Sequence, residues 1–541
     1  MNPSHGGDLA LEALAMYGVS ELFTLNGAHV WPFYDAARKA RIPVYDCRHE
    51  ASAAFAAEAV AKLTRRPGVA VLTAGPGVTN GVSAVTGAHF VGSPLVVLGG
   101  RAPEGRWGAG SLQEFDHVPV LAPMTKVAAT VREPADMGET VAQAVAAALT
   151  PHRGPVFLDF PMDALFAQVG AGPARGLPEM ADLSGADSDP DDVIATAKLL
   201  AAAERPALVV GSDVFWAGAW ELLQDVAEAH RVPVFVNGLG RGCLPADHEL
   251  AFSRTRGMLK TDADLVVVIG TPLDFRLSFG RFGDADVVHI VDHADQRAAH
   301  ATTVVSPAGD LSAILRHIAD FTGDRRDHEP WIARMRDAER GARAADELLL
   351  SADAGPIKPT RVYGELKRVL DRDAVVVCDG GDFASYAGKF VDSYEPGCWL
   401  DPGPFGCLGT GMGYAMGARV ACPGRQVVVM LGDGAAGFSL MDIDSLVRQD
   451  LPAVILCGNN GIWGLEKHPM RAVYGYDMNC DLQPECRYDE VVKALGGAGE
   501  TVREPADLGP ALERAFASGV PYLLNVICDP DDVYPRSSNL A

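Results

Sequence analysis

Gly432-Asp433-Gly434, at the end of the apolar run 427–431, and Asn459-Asn460, at the end of the next apolar run 453–458, decide how this chain folds. Short continuous runs rich in valine read as strands buried on both faces, the form that parallel sheets take. The glycines turn the backbone sharply into a helix, so Asp433 lies at the carboxyl edge of a sheet, with Asn459 and Asn460 on the same edge. A carboxylate and an amide oxygen brought together there suit a hard cation, and Mg²⁺ typically bridges a few protein oxygens to a phosphate group. Backbone N–H groups and the start of the following helix favour the phosphate itself. For either half alone, a helix-capping aspartate or an asparagine turn is the plain alternative. The two halves, each placed after a strand, outweigh it.

The same alternation repeats outward from this segment. Strand-sized runs at 21–25, 44–46, 69–73, 95–99 and 156–159 separate helical patterns in a first block, 1–168. Segment 170–190, rich in Gly, Pro, Ala and Asp without an apolar period, reads as a linker. A second block, 190–325, carries runs at 207–211, 232–237, 265–270 and 287–292, and a charged helical segment, 331–350, leads to a third block. That block, 356–541, has runs at 375–379, 427–432, 453–458 and 522–529. The expected fold is α/β, with three doubly wound parallel-sheet domains; 541 residues exceed what one core supports. Blocks one and three each open a helix from a Gly-rich loop after a strand, at 74–80 and 432–438, which points to a remote duplication.

Hydrophobic residues at 48% and charged residues at 21% are globular proportions and exclude a disordered or fibrous chain. A net charge of −24 leaves no basic stripe for nucleic acid or an anionic membrane. No apolar run is long enough to span a bilayer, and the first residues lack a signal-peptide pattern, so a cytoplasmic protein is expected. The ten cysteines are dispersed without a Cys-x-x-Cys pair, which suggests neither a disulfide framework nor a zinc site.

Residues 432–460 resemble the diphosphate motif of thiamine diphosphate dependent enzymes, and the resemblance runs over essentially the whole chain. Arg48-His49-Glu50, Ala57-Glu58 and Thr73-Ala74-Gly75-Pro76-Gly77-Val78-Thr79-Asn80, then Gln113-Glu114 and Thr125-Lys126, are similar to the pyrimidine-binding domain of that family. The group is that of acetolactate synthase, with its relatives 2-hydroxyacyl-CoA lyase and oxalyl-CoA decarboxylase. The resemblance implies pyrimidine-binding, central and diphosphate-binding domains, with thiamine diphosphate and Mg²⁺ as cofactors. It further implies a homodimer or homotetramer with active sites at a subunit interface.

By the same resemblance Glu50 is the cofactor-activating carboxylate, held protonated toward N1′ of the aminopyrimidine; the apolar setting of Ala51, Ala53, Ala54 and Phe55 favours its neutral form. Pro76 and Asn80 flank the pyrimidine, and Gln113 is a second catalytic residue. Leu408, in Gly406-Cys407-Leu408-Gly409, is the wedge that folds the two cofactor rings together, and the Gly406 carbonyl accepts from the 4′-amino group. Asp433, the Asn460 side chain and the Ile462 carbonyl hold the metal. Gly381, Asp382, Phe383, Gly432, Gly434, Ala435, Trp463 and Gly464 complete the cofactor site. Trp463, Glu466, Lys467 and His468 face the substrate entrance in relatives.

The substrate implied is a small 2-keto acid, an aldehyde or an acyl-CoA. Segments 253–256, 273–275, 400–406 and 437–439 are worded nearer to the CoA-using branch, whereas the chain as a whole looks most like bacterial acetolactate-synthase-like proteins. The phosphates of CoA would call for a basic patch, which the linear sequence does not display. Decarboxylation of a 2-keto acid followed by carboligation is the expected activity, with a CoA-thioester lyase or decarboxylase as the alternative. Gly238-x-Gly240-x-Gly242 lacks dinucleotide spacing and reads as a structural turn. The family's central domain holds FAD, ADP or nothing, and the sequence supports neither nucleotide.

Overall fold

The computed structural model describes residues 4–169, 179–353 and 355–535, and its sheets contain six, four and six parallel strands, apart from a short antiparallel pair, Ser4–His5 with Gln168–Val169. Part of the expected linker, 170–178, lies outside the described residues, as do 536–541. The described remainder of the linker leads to helix Pro190–Ala202, where the Asp189 side chain accepts from the Asp191 N–H at the helix start.

The first sheet runs Val44–Asp46, Leu22–Leu25, Gly68–Leu72, Leu95–Arg101, Val156–Pro161, Ala128–Thr130 in space. The third runs Trp399–Leu400, Val375–Cys378, Val427–Gly432, Val454–Asn459, Tyr522–Ile527, Ala498–Val502. Counted along the chain, both orders are 2-1-3-4-6-5, so the first and third blocks share one architecture. The central sheet, Val234–Val236, Pro206–Val210, Leu265–Ile269, Asp286–Ile290, repeats the first four places. Three strands of the parallel sheets were not expected: Ala128–Thr130, Trp399–Leu400 and Ala498–Val502. All three lie at sheet edges, where a strand can be short or half-buried and shows no continuous apolar run.

Strand order reverses between the first and third strands of each sheet, and ligands of open α/β sheets bind outside the carboxyl ends at that point. In the third sheet the reversal is flanked by Asp379 and Asp433; in the first it is flanked by Asn26 and Thr73.

Helix Glu50–Thr64 of the first block packs on helix Gly411–Ala421 of the third within one apolar cluster. Small residues let the backbones meet: a Cβ on Gly413 would stand 2.7 Å from the Ser52 carbonyl oxygen, and one on Gly417 2.2 Å from that of Ala56. The pairings Ser52 with Gly413 and Ala56 with Gly417 run in one direction, so both helices begin at the same end. Glu50, which starts one helix, and Leu408, just before the other, are thereby carried to a common face. The contact is fastened by Glu58 and Lys62, buried and paired at 2.9 Å, with the Tyr414 hydroxyl 2.8 Å from each. Lys62→Met leaves the Glu58 carboxylate without its cation and is expected to cost about 3–5 kcal/mol, read as a fall in the urea midpoint. Glu58→Gln in the same chain should recover part of that loss.

Candidate active site

Asp433 opens helix Asp433–Ser439 directly after its strand and is 2% exposed. Its Oδ2 accepts from the Gly461 N–H at 2.8 Å and its Oδ1 from the Gly434 N–H at 3.1 Å. Asp382, likewise buried, opens helix Asp382–Phe390; its Oδ2 accepts from the Asn460 amide at 2.9 Å and its Oδ1 from the Phe383 N–H at 2.8 Å. With its NH₂ committed to Asp382, Asn460 keeps its amide oxygen on the other side, 3.3 Å from the Ile462 N–H. Burial pushes the Asp433 carboxyl up to about 7; the Gly461 and Gly434 N–H groups offset part of this, and the charge of Asp382 adds to it. Asp382 is raised too, by burial first, against the Phe383 N–H and the Asn460 amide. Among the described residues no Lys or Arg is paired with either carboxylate. Two neighbouring acids in this condition are what a divalent cation neutralises.

The glycines around them are set by close approach. A Cβ at Gly434 would lie 2.5 Å from the Trp463 indole, at Gly464 2.1 Å from the Asp382 Oδ2, and at Gly458 2.2 Å from the Phe383 ring. Gly381, at φ +110°, makes the turn into the Asp382 helix, and Ala435 is buried behind Asp433. Leu408 rests on Gly380, where a Cβ would fall 1.9 Å from its Cδ2. The loop bearing Leu408 is held by Asp379, which directly follows strand Val375–Cys378. Its carboxylate accepts from the N–H groups of Gly380 (2.7 Å), Gly409 (2.9 Å) and Gly411 (2.8 Å). Burial nevertheless pushes the Asp379 carboxyl up to about 6. The available signal was an aspartate between a strand and Gly380-Gly381.

Glu50, 7% exposed, is the first residue of its helix, behind His49, whose Nδ1 accepts from the Ala51 N–H at 3.1 Å. Asn80 donates to Glu50 Oε2 at 3.0 Å. Gly77 faces the other oxygen: a Cβ there would be 3.7 Å from Oε1. Pro76 is exposed at the head of helix Pro76–Asn80, after Gly75 at φ +61°. Gly75 backs onto Gln113, itself at φ +59°, and donates its N–H to His117 Nε2 at 2.9 Å. That bond fixes the tautomer, so His117 Nδ1 donates to Asp159 at 3.0 Å, and Asp159 also accepts from Arg101 at 3.1 Å. His117 and Asp159 hold the Gly75 loop in place, yet nothing local in the sequence marks them.

His49, Ser52, Asn80, Leu408, Gly409 and Phe438 line a common cavity of about 300 Å³. Asn80, which holds Glu50, and the Leu408 loop thus border one space. Among the described residues, no hydrogen bond joins Glu50 to Asp433, Asp382 or Asn460. Of the residues after Gly464, Glu466 is exposed, Lys467 is tied to Asp481, and His468 Nε2 is buried without a partner among the described residues. In the central sheet a Cβ on Gly240 would lie 2.6 Å from the Val210 carbonyl oxygen and one on Gly242 2.0 Å from that of Glu395. These glycines serve packing, as a structural turn requires.

Residues 4–120 match the N-terminal TPP binding domain of thiamine pyrophosphate enzymes, 193–318 their central domain, and 379–526 their C-terminal TPP binding domain. The chain is also 49% identical, over 99% of its length and 98% of theirs, to a probable acetolactate synthase of Mycobacterium bovis and an acetolactate synthase large subunit of Mycobacterium tuberculosis. The chain belongs to the thiamine pyrophosphate enzymes. This thiamine pyrophosphate enzyme is further similar to 2-hydroxyacyl-CoA lyase 2 of Caenorhabditis elegans, at 34% identity over 92% of this chain and 85% of that protein. The residues present fit the family's cofactor: among the described residues Asp433 and Asp382 have no paired Lys or Arg, Asn460 has an oriented amide oxygen, and Leu408 is seated on Gly380.

Proposed function

We propose that this enzyme is an acetolactate synthase, decarboxylating a 2-keto acid and joining the remaining acyl unit to a second carbonyl compound. The identity of 49% with acetolactate synthases along both chains carries this reading, against 30–34% with the lyases. When bound, thiamine diphosphate would supply a nucleophile for the substrate carbonyl and an electron sink for the bond that breaks.

The protein's part is binding, orientation and proton handling. Asp433, the Asn460 amide oxygen and the Ile462 carbonyl would hold Mg²⁺, and Asp382 orients Asn460 through its amide group. Gly381, Phe383, Gly432, Gly434, Ala435, Trp463 and Gly464 shape the backbone around the phosphates. Leu408 would prop the cofactor rings, and the Gly406 carbonyl would accept from the amino group. Asn80 occupies Glu50 Oε2, which leaves Oε1, on the Gly77 side, to present its proton to the pyrimidine beside Pro76. Gln113 reaches the substrate side, and Phe55 and Phe438 give the cavity apolar walls. Gly380→Ala collides with the flexible end of Leu408 rather than with backbone. It is expected to fold and bind cofactor within a few-fold of wild type but to lose about 10- to 100-fold in turnover, measured by steady-state kinetics.

The second reading is a lyase or decarboxylase acting on a CoA thioester, favoured by the similarity to 2-hydroxyacyl-CoA lyase 2. Holoenzyme incubated with pyruvate alone, and separately with formyl-CoA plus an aldehyde, distinguishes the two when products are identified by mass. Acetolactate from pyruvate supports the first reading; a 2-hydroxyacyl-CoA product with pyruvate unchanged overturns it.

The proposal includes a homodimer, singly or paired into a tetramer, in which Glu50 of one chain meets the metal loop of its partner. Exposed apolar residues on both halves support it: Leu112 (80%) and Phe115 (43%) beside Gln113, and Phe438 (60%) and Met441 (56%) after Asp433. Mixing Glu50→Ala with Asp433→Ala chains should restore about one quarter of wild-type activity, since half the dimers are mixed and each has one intact site. Subunit exchange without recovery would place the site within one chain. A cytoplasmic setting is part of the same proposal: all ten cysteines are free thiols, as in a reducing compartment, and no helix among the described residues is long and apolar enough to cross a membrane.

A further inference from the structure

The edge strand Val234–Val236, the end of helix Asp382–Phe390 and the long helix Glu329–Leu350 enclose a cavity of about 110 Å³ between the central and third blocks. We infer that this cavity is a binding site for a phosphate-sized dianion, either free or carried on a small phosphorylated ligand.

Five cations line it: Arg241, Arg254, Arg256, Arg343 and Lys389. Three carboxylates answer some of them. Asp346 holds Arg254 at 2.8 Å and Lys389 at 2.6 Å, while Glu339 and Asp392 hold Arg343 at 3.1 and 3.3 Å. Arg241 donates to the Gly388 carbonyl and lies 4.1 Å over the Trp399 ring. Arg256 Nη2 is buried with no acceptor among the described residues. Neither Arg241 nor Arg256 has a carboxylate within ion-pair distance there, so two guanidiniums have no paired anion in a protein whose overall charge is −24. Desolvation pulls Arg256 down to about 10, and the charges of Arg241 and Arg276 push the same way; Asp274 opposes them. Arg241 is lowered as well, by desolvation that Asp401 and Asp392 only partly offset.

Uncompensated charge out of water is costly, and a guanidinium fork matches the oxygens of a phosphate. The loop is also preorganised: Glu339 accepts from the N–H groups of Ser253 (3.3 Å), Arg254 (2.8 Å) and Thr255 (3.2 Å). The volume admits one phosphate group and no whole nucleotide, so a larger ligand would insert only its terminal phosphate. The site lies outside the proposed active centre. Helix Asp382–Phe390, whose first residue contacts Asn460, spans nine residues to reach it, roughly 13 Å.

Calorimetry and thermal unfolding of the unliganded protein with inorganic phosphate, at constant ionic strength in chloride, test the assignment without any turnover. Saturable binding is expected, weakened at least tenfold in Arg256→Met and in Arg241→Met. In phosphate-free buffer Arg256→Met should unfold at or above the wild-type temperature, because it loses an unpaired charge. No saturable binding, unchanged affinity in Arg256→Met, or an equal loss of stability with and without phosphate would overturn the inference. Titration with CoA, whose 3′-phosphate stands free, separates the sources. Tighter binding than inorganic phosphate, lost in Arg256→Met, shows a carried phosphate; equal or weaker binding shows a free anion.

Discussion

Asp433→Ala is expected to abolish Mg²⁺-dependent binding of thiamine diphosphate, weakening it by roughly two orders of magnitude or more, because the cation loses its anionic protein ligand. The unliganded protein should tolerate the change. Burial holds the Asp433 proton up to about pH 7, whereas an aspartate in the unfolded chain releases it near pH 3.9. Between those values the folded chain binds more protons than the unfolded one. The contribution of this group is therefore present in full below about pH 4 and lost as pH rises to about 7. Urea midpoints of wild type should fall more steeply across that window than those of Asp433→Ala, and Mg²⁺ with the cofactor should remove the difference in slope by taking the proton's place. Calorimetry checks the binding half; equal cofactor affinity with and without Mg²⁺ in wild type would end the metal assignment.

What the sequence made legible follows from where each residue sits. Strands such as Val427–Gly432 and Leu265–Ile269 are buried on both faces, so their apolar runs need no partner to be read. Asp433 and Asn460 could be paired on paper because each directly follows such a strand. Ala498–Val502 contains a glycine and a glutamate at an edge and shows no run at all. Asp379, His117 and Asp159 act through partners far along the chain: Asp379 on Gly409 and Gly411, His117 on Gly75, Asp159 on Arg101. Only the fold brings them together. The basic cavity is the extreme case, since Arg241, Arg256, Arg343 and Lys389 come from four separate segments and no stretch of sequence is basic.

Glu50→Gln is expected to retain cofactor affinity within a few-fold while slowing hydrogen–deuterium exchange at C2 of the bound cofactor by about 10²- to 10⁴-fold, the usual worth of a positioned acid–base group. Glutamine fills the same space, and its carbonyl oxygen can keep the hydrogen bond that Asn80 gives to Oε2. Its amide then stands where Oε1 faces Gly77, and it can donate a hydrogen bond to the pyrimidine but cannot surrender the proton. Binding and catalysis should therefore separate in this variant, whereas in Asp433→Ala they fall together. Asn80→Ala belongs between the two: it frees Oε2 and lets the carboxyl rotate, so exchange should slow by less than in Glu50→Gln, with the proton still available. Exchange measured by quenched-flow NMR at the wild-type rate in Glu50→Gln would remove Glu50 from this role and, with it, the reason for Asn80 to hold one oxygen and leave the other exposed to the cofactor.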